Sequence, residues 1–374
     1  MAIAAVMIAV AAISAGVDGQ IISGRPTSTD LRVVYSSWTV KSVTGQKTTI
    51  SQFSAPINGF IPLGEGLEAQ LYMDGSTNNL SFGSTTSSLT GLGDLRLQVN
   101  KAFADDHFLL SGGLSAPTGE KQMKETEWAV VEQLSTDFLS FPSRQLGAGL
   151  GLNVLVGGAM MLGDLRCGAG VSYQYAGKYT PIKGREEYDP GDQISVNVGV
   201  GGGEVEATTW STSAIFTTYS DAKTGGAKAF KQGKELQFQF ALQHRVAERN
   251  ALSGSVHYIL RDRSTEYGAT VDTIVSQLRR FGNEIGGSVR YAQMLGQNWS
   301  LAPAASLRVI GSAETGTGGS SVAGSNVLGI SGTVGRRFDK SLFEVGVTYY
   351  TGKARGSTFT VNGLQVSSTL HLSL

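Results

Sequence analysis

The feature that most constrains this chain is an alternation of apolar and polar side chains with a period of two residues. In the segment Leu95–Phe103, leucines, a valine and a phenylalanine alternate with Arg96, Gln98, Asn100 and an alanine. The same alternation recurs at 236–246, 343–349 and 364–373. Successive side chains of a β-strand point to opposite faces, so each of these segments is predicted to be a strand with one apolar and one polar face.

Glycine content supports a chain made mostly of strands and turns. The chain has 50 glycines in 374 residues, about twice the average usage of roughly 7%. Each glycine in a helix interior costs about 1 kcal/mol relative to alanine, whereas turns, bulges and crowded strands accommodate it. A largely helical enzyme is therefore disfavoured.

The N-terminus carries the one long apolar run of the sequence, at residues 1–15, followed by small and polar residues. We interpret residues 1–19 as a signal peptide, although no Lys or Arg precedes the apolar run, and residues 20–374 as the mature domain. No later stretch approaches the ~18 apolar residues that a spanning helix needs. A mature chain that enters a membrane must therefore do so as a β-barrel.

Connection lengths favour a membrane barrel over a soluble sandwich. Short links at 104–106, 247–250, 296–298 and 339–341 alternate with long ones at 75–91, 118–143, 178–190, 221–232, 262–277, 312–325 and 353–363. In an up-and-down barrel this order places the long loops outside the cell and the tight turns in the periplasm. We predict an all-β, antiparallel transmembrane barrel of 14–16 strands, with 16 favoured, in the bacterial outer membrane.

The parity of the strands also predicts which side chains face the lumen. Arg96, Arg245, Arg308 and Arg337 fall on the polar face, where the interior is wet or paired, because Arg on the lipid face costs roughly 2–4 kcal/mol at mid-depth. Two interpretations remain open. The polar lining, which also includes Asn100 and His371, sets the selectivity of a solute path, or its residues pair with Glu68 and Glu344 in a structural network.

The predicted loop at 120–144 is unusually apolar. Trp128, Val131, Leu134 and Phe138 recur at three- and four-residue spacing, which predicts a short amphipathic helix. Since such a patch is costly in water, we expect it to fold inward over the barrel mouth, where Trp128, Phe138 and Phe141 form a first contact for apolar solutes. The alternative is that the segment only caps the barrel or packs on lipopolysaccharide.

Other chemistry has little support. Thirty basic residues balance 30 acidic ones, which gives no indication of nucleic-acid binding. The single cysteine and the four histidines lack metal-ligand spacing, and no Ser is singled out as a nucleophile. We expect no enzymatic activity, no metal and no cofactor. The expected partners are outer-membrane lipid, lipopolysaccharide and a small-molecule solute, and the oligomeric state is left open.

Several segments together resemble a known family. GLGDLRLQVNKAF from Gly91, LLSGGLSAPTGEK from Leu109, QLGAGLGLNV from Gln145, VSYQYAGKYT from Val171 and YDPGDQISVNVGV from Tyr188 occur in this order. They resemble the outer-membrane proteins of the phenol-degradation meta-pathway, which are similar to the long-chain fatty-acid outer-membrane transporter group. The resemblance covers about residues 91–203, and it implies a hydrophobic or aromatic solute.

Three functions remain open at this stage. The favoured one is a channel for passive uptake of small hydrophobic or aromatic molecules. The alternatives are a general porin for polar solutes and a structural or partner-binding barrel in a surface complex. An apolar path favours the first, a continuous wet pore with a charged constriction the second, and a filled lumen the third.

Overall fold

The computed structural model describes residues 27–204, 207–268, 273–315 and 320–373. These residues form a closed, antiparallel β-barrel of 16 strands, which confirms the predicted fold class and the favoured strand number. The predicted signal peptide, residues 1–19, lies outside the described residues and stays a prediction. The described helix is too short to cross a membrane.

Three of the barrel strands are built from two segments separated by a short break, and the others are continuous. In chain order the strands are β1 Ser28–Ser42; β2 Lys47–Ser54 with Ile57–Gly64; β3 Leu67–Met73 with Gly75–Phe82; β4 Thr85–Leu92 with Leu95–Phe103; β5 Phe108–Ala116; β6 Gly151–Leu162; β7 Leu165–Ala176; β8 Gln193–Glu204; β9 Thr208–Tyr219; β10 Glu235–Ala247; β11 Asn250–Arg261; β12 Glu284–Leu295; β13 Trp299–Ile310; β14 Ser325–Phe338; β15 Ser341–Ala354; and β16 Phe359–Ser373.

The wall closes between the first and last strands. All 15 residues of β1 pair with β16, from Ser28 opposite Ser373 to Ser42 opposite Phe359. Closure leaves no open sheet edge along that seam, which is what a barrel in lipid requires. The inner face at the seam carries a hydrogen-bonded group in which His371 contacts Asp30 (2.6 Å) and Glu344 (3.2 Å).

The outer surface is apolar in its middle and aromatic at its two ends. Valines, leucines and isoleucines are exposed along the centre of the strands, for example Val154, Leu328 and Ile330. Exposed aromatic residues flank this belt in two rings. One ring comprises Tyr173, Tyr175, Phe216, Phe238, Tyr258 and Tyr349, and the other Phe103, Phe108, Trp299, Phe338 and Phe343. Such girdles mark the two interfaces of a membrane.

The long connections lie at one end of the barrel and the tight turns at the other; we name these the long-loop end and the short-turn end. Two predicted long loops are wrong. Residues 75–91 form most of a hairpin, Gly75–Phe82 with Thr85–Leu92, and residues 353–363 hold only the turn 355–358 between β15 and β16. Both hairpin strands are rich in Ser, Thr and Asn, so the apolar–polar contrast that marks lipid-embedded strands is missing there.

The long connections carry structure of their own. Helix α1, Glu125–Leu134, begins after Lys124, whose backbone N–H donates to the Glu127 carboxylate at 2.7 Å. Acidic residues in the first turn also suit the helix dipole. Five short strands from three other connections pair into a small sheet at the long-loop end: Tyr188–Asp189, Ala222–Thr224, Ala227–Lys231, Ser264–Tyr267 and Ile274–Leu278.

Candidate functional site

The connection between β5 and β6 enters the long-loop end of the barrel, and we call residues 120–146 of it the plug. Its helix α1 buries Val130, Val131 and Leu134, and these residues pack into one apolar cluster with strands of the wall. The inward folding expected from the apolar character of this segment is therefore observed. The helix is shorter than predicted, because it ends at Leu134 and leaves Phe138 in the following turn.

Two chain segments form a narrow neck where the plug joins the wall. Asp94, which is nearly fully buried, accepts hydrogen bonds from the backbone N–H groups of Gly119 (2.9 Å) and Ala148 (2.8 Å) with its two carboxylate oxygens. Gly119 and Gly147 let the two backbones pass in direct contact, since a Cβ at either position would collide with the opposite segment. Asp94, in the break between the two segments of β4, thus binds the chain on both sides of the plug.

Near the neck, Tyr179 is buried in the connection that follows β7. Its hydroxyl oxygen accepts a hydrogen bond from the Gln145 amide at 3.1 Å, and its ring packs edge-on against Tyr188 with centroids 6.0 Å apart. Burial raises the pKa of Tyr179 to about 12, although the Gln145 hydrogen bond opposes the rise. This phenol therefore stays protonated through the neutral and mildly alkaline range.

The wall facing the plug has an apolar sector inside the barrel. Trp38 of β1, Ile50 of β2 and Val361 of β16 are fully buried, and Leu80 of β3 is nearly so. Phe141 of the plug contacts this sector, with its ring centroid 6.4 Å from that of Trp38. The inner wall of a water-filled barrel is usually polar, so this sector departs from the general pattern.

A buried amide anchors the plug beside the apolar sector. Gln52 of β2 donates from Nε2 to the backbone carbonyl of Ser143 at 2.5 Å and accepts from the Ser143 N–H at 3.0 Å. The same Nε2 also donates to Asn78 Oδ1 at 2.7 Å, and Asn78 donates to Ser76 Oγ and to the Leu89 carbonyl. The two buried amides of Gln52 and Asn78 thus use their donors and their acceptors, and satisfied buried amides of this kind help to fix one arrangement of a core.

An ion-pair cluster holds the opposite side of the plug. Glu284 of β12 accepts two hydrogen bonds from the Arg308 guanidinium, at 2.7 and 3.0 Å, and pairs with Arg261 at 3.3 Å. Arg308 also donates to the backbone carbonyl of Asp137 in the plug. Bidentate pairs between arginine and carboxylate are among the stronger hydrogen bonds of proteins, so Arg308 links the plug firmly to the wall.

Toward the short-turn end the lumen is wet. The inward-facing residues Gln243, Arg245, Ser255, Ser288 and Arg290 are exposed to solvent. The plug therefore occupies the lumen at the long-loop end, whereas the lumen toward the short-turn end is polar and exposed to solvent.

The structure separates the predicted site residues into two groups. Phe141 is buried in the apolar cluster, and Trp128 and Phe138 are partly buried and packed against it. Arg96 lies with its guanidinium 5.5 Å above the ring of Tyr72, while Arg245 and Arg337 are exposed near the short-turn end. Among the described residues, Arg308 is the one of these four arginines that pairs with a carboxylate.

The predicted structural network with Glu68 and Glu344 is observed for two polar lining residues, Asn100 and His371, but not for Arg308. Glu68 accepts a hydrogen bond from Asn100 at 2.8 Å, and Glu344 contacts His371. The acid that pairs with Arg308 is Glu284, at the start of β12, and its position just after a long loop hid it from the parity argument. Trp38 was also missed, because β1 carries apolar residues on both faces. Gln52 of β2 and Tyr350 of β15 were missed as well.

The closed wall, the apolar outer belt and the two aromatic girdles define an integral β-barrel of the bacterial outer membrane. No protein-family model matches the sequence, and no curated protein matches it.

Solved structures with a similar architecture include a deletion mutant of the monoaromatic hydrocarbon channel TodX (9% identity, TM-score 0.49, covering 94% of this chain and 91% of that one). Others are the Ralstonia pickettii toluene transporter TbuX (9% identity, TM-score 0.46, covering 94% and 90%) and Pseudomonas aeruginosa OpdL (11% identity, TM-score 0.44, covering 94% and 100%).

Proposed function

We propose that this barrel is an outer-membrane channel for the passive uptake of small hydrophobic or aromatic molecules. The observation that carries the proposal is the apolar contact inside the lumen between the plug and the wall sector around Trp38. An apolar solute that arrives from the long-loop end would meet this contact before it reaches the wet inner part of the lumen.

The energetics of this contact suit weak, reversible binding. Burying an aromatic ring of phenylalanine size yields about 1.5–3 kcal/mol, which is enough to concentrate a solute without trapping it. The plug is already held by apolar packing that a solute ring can imitate, with Phe138 and Trp128 at the margin of the cluster. We infer that a solute passes along this margin, in exchange with the plug's own side chains.

A general porin is the second candidate, and the solvent-exposed Arg245, Ser255 and Arg290 favour it. Polar solutes would cross freely only if the plug left the lumen, because the plug is bound at Asp94, Gln52 and Arg308. In the third candidate, a structural or partner-binding barrel, the plug in the lumen would only stabilise the fold and no solute would pass.

The test compares uptake of toluene with that of a small polar sugar by intact cells that express equal surface amounts of each variant. In the triple variant Trp128→Ala, Phe138→Ala, Phe141→Ala, we expect the ratio of toluene uptake to sugar uptake to fall. The ratio is the informative quantity, because a loosened plug raises both rates. The matched control is Lys121→Ala, Gln122→Ala, Thr126→Ala, which changes three exposed residues of the plug. An unchanged ratio in the aromatic variant would refute the proposed route.

A further inference from the structure

One arginine lies on the lipid-facing side of the barrel, where the apolar belt ends. The outward residues of β14 run Leu328, Ile330 and Val334, all exposed, and the next outward position with a charged side chain is Arg336. It is two residues from the end of the strand at the short-turn end. A guanidinium at this depth lies at the boundary between lipid tails and headgroups.

Two aromatic rings hold this guanidinium in place. Its carbon lies 4.7 Å from the ring centroid of Phe338 and 5.1 Å from that of Trp299. Trp299 is the cross-strand partner of Arg336 on β13, and Phe343 is its partner on β15. Cation–π contacts of this kind stabilise the charge through the face of the ring, and they leave the N–H donors at the edge of the guanidinium plane available.

Within the described part of the chain, those donors have no protein partner. Among the described residues, no ion pair and no side-chain hydrogen bond engages the guanidinium of Arg336. Lys101, another outward cation at this end of the barrel, differs, since it lies over Phe103 but donates to the backbone carbonyl of Glu65 at 2.8 Å. Arg336 is thus a cation that two rings hold in place and whose guanidinium receives no hydrogen-bond acceptor from the described residues.

We propose that Arg336, Trp299 and Phe338 form a binding site for the phosphate of a phospholipid in the membrane leaflet at the short-turn end. The planar fork of an arginine matches the geometry of phosphate oxygens. On the lipid-facing surface at this depth, the anionic groups within reach are headgroup phosphates. The acyl chains of the same lipid would lie along Val334 and Leu301, which are exposed on the same outer face.

The next residue in the chain supplies a matched control. Arg337 is also exposed, but strand parity directs it to the lumen. Arg336→Gln and Arg337→Gln therefore make the same chemical change on opposite faces of one strand. Arg336→Lys keeps the charge and most of the stem but lacks the fork, so it tests geometry in a barrel that retains its interfacial cation.

The experiment uses the full barrel in a neutral sugar detergent, titrated with short-chain phosphatidylglycerol, with diacylglycerol that lacks the phosphate, or with inorganic phosphate. Binding is measured by native mass spectrometry and by the rise in the midpoint of heat unfolding. We expect phosphatidylglycerol to bind wild type and Arg337→Gln alike. Binding to Arg336→Gln should be weaker by roughly tenfold or more, the loss of a charge-assisted hydrogen bond, with Arg336→Lys in between.

Two outcomes would overturn the proposal. Equal binding to Arg336→Gln and Arg337→Gln would show that the lipid does not use this arginine. An equal effect of inorganic phosphate would show an anion site that has no need of a lipid. If Arg336→Gln does not assemble, Arg336→Lys replaces it in the test. The proposal requires Arg336→Lys to bind phosphatidylglycerol more weakly than wild type does, and equal binding would overturn it.

Discussion

Trp38 and Tyr350 stack on each other across a strand that lies between them. Their ring centroids are 4.7 Å apart and their planes differ by 26°, although β1 and β15 are separated by β16. Gly363 of β16 is the cross-strand partner of both residues. The absence of a side chain at Gly363 allows the two rings to meet over the backbone. The pair forms part of the inner wall against which Phe141 of the plug packs.

This arrangement predicts that Gly363→Ala loosens the contact between the plug and the wall. A Cβ at Gly363 would lie 2.6 Å from the Trp38 ring, so the indole must move, and overpacking of a filled core costs roughly 1–3 kcal/mol. We expect a changed tryptophan emission spectrum and faster proteolysis within the plug. Gly332→Ala is the control, because nothing lies within 4 Å of its added Cβ. Equal behaviour of the two variants would contradict the role assigned to this contact.

A second prediction concerns the neck. Asp94→Ala removes the acceptor of two backbone N–H groups, at Gly119 and Ala148, and each buried donor left unsatisfied costs about 1–3 kcal/mol. We expect protease cleavage between residues 120 and 146 while the heat-modifiable barrel remains intact. Asp164→Ala, at an exposed tight turn, should have no effect. Resistance of the Asp94 variant to protease would show that the neck is held by other contacts.

A third prediction separates two arginines of the lumen. Arg308→Glu places a carboxylate beside Glu284 and removes the hydrogen bond to the plug at Asp137. In planar bilayers we expect this variant to show larger and noisier conductance than wild type, because the plug loses its anchor and the two acids repel each other.

Arg96→Glu changes a charge that lies over the ring of Tyr72 and, among the described residues, has no hydrogen bond to the plug. It should shift ion selectivity toward cations without enlarging the conductance. If Arg96→Glu raises the conductance as much as Arg308→Glu does, the increase comes from charge reversal in the lumen. Arg308 would then not anchor the plug.

A fourth prediction concerns alkaline pH. Burial raises the pKa of Tyr179 from 10.0 to about 12, so the folded state disfavours the phenolate. The stabilising contribution is complete below pH 10 and is lost as the pH rises through about 12. Ultraviolet difference titrations of wild type and of Tyr179→Phe should differ by one tyrosine, which ionises near pH 12 and not near pH 10. A Tyr179 that ionises near pH 10 would mean that water reaches the neck.

Period-two alternation identified the strands best where one face meets lipid and the other meets water. At 343–349, Phe343, Val345 and Val347 are exposed outside, and Glu344 faces inward, as predicted. The hairpin formed by Gly75–Phe82 and Thr85–Leu92 was missed, because its outward residues, such as Thr86 and Thr90, are polar. Strand pairing there depends on backbone hydrogen bonds, which leave no mark in hydropathy.

The apolar character of the plug could be read from its residues, whereas its binding partners could not. Trp128 and Phe141 were identified because an apolar stretch in a predicted loop needs an explanation. Gln52 binds Ser143 across 91 positions of sequence, and Trp38 meets Tyr350 only after the barrel has closed. Contacts created by closure join residues from opposite ends of the chain, and no local pattern encodes them.

The narrow neck has a consequence for how the protein is assembled. Both ends of the plug leave the wall at one point, beside Asp94, on the rim of the long-loop end. The plug is thus an insertion between two neighbouring strands, and no part of it threads through the wall. The connectivity therefore does not require the plug to fold before the barrel closes. β1 can pair with β16 around an empty interior, and the plug can enter the lumen afterwards.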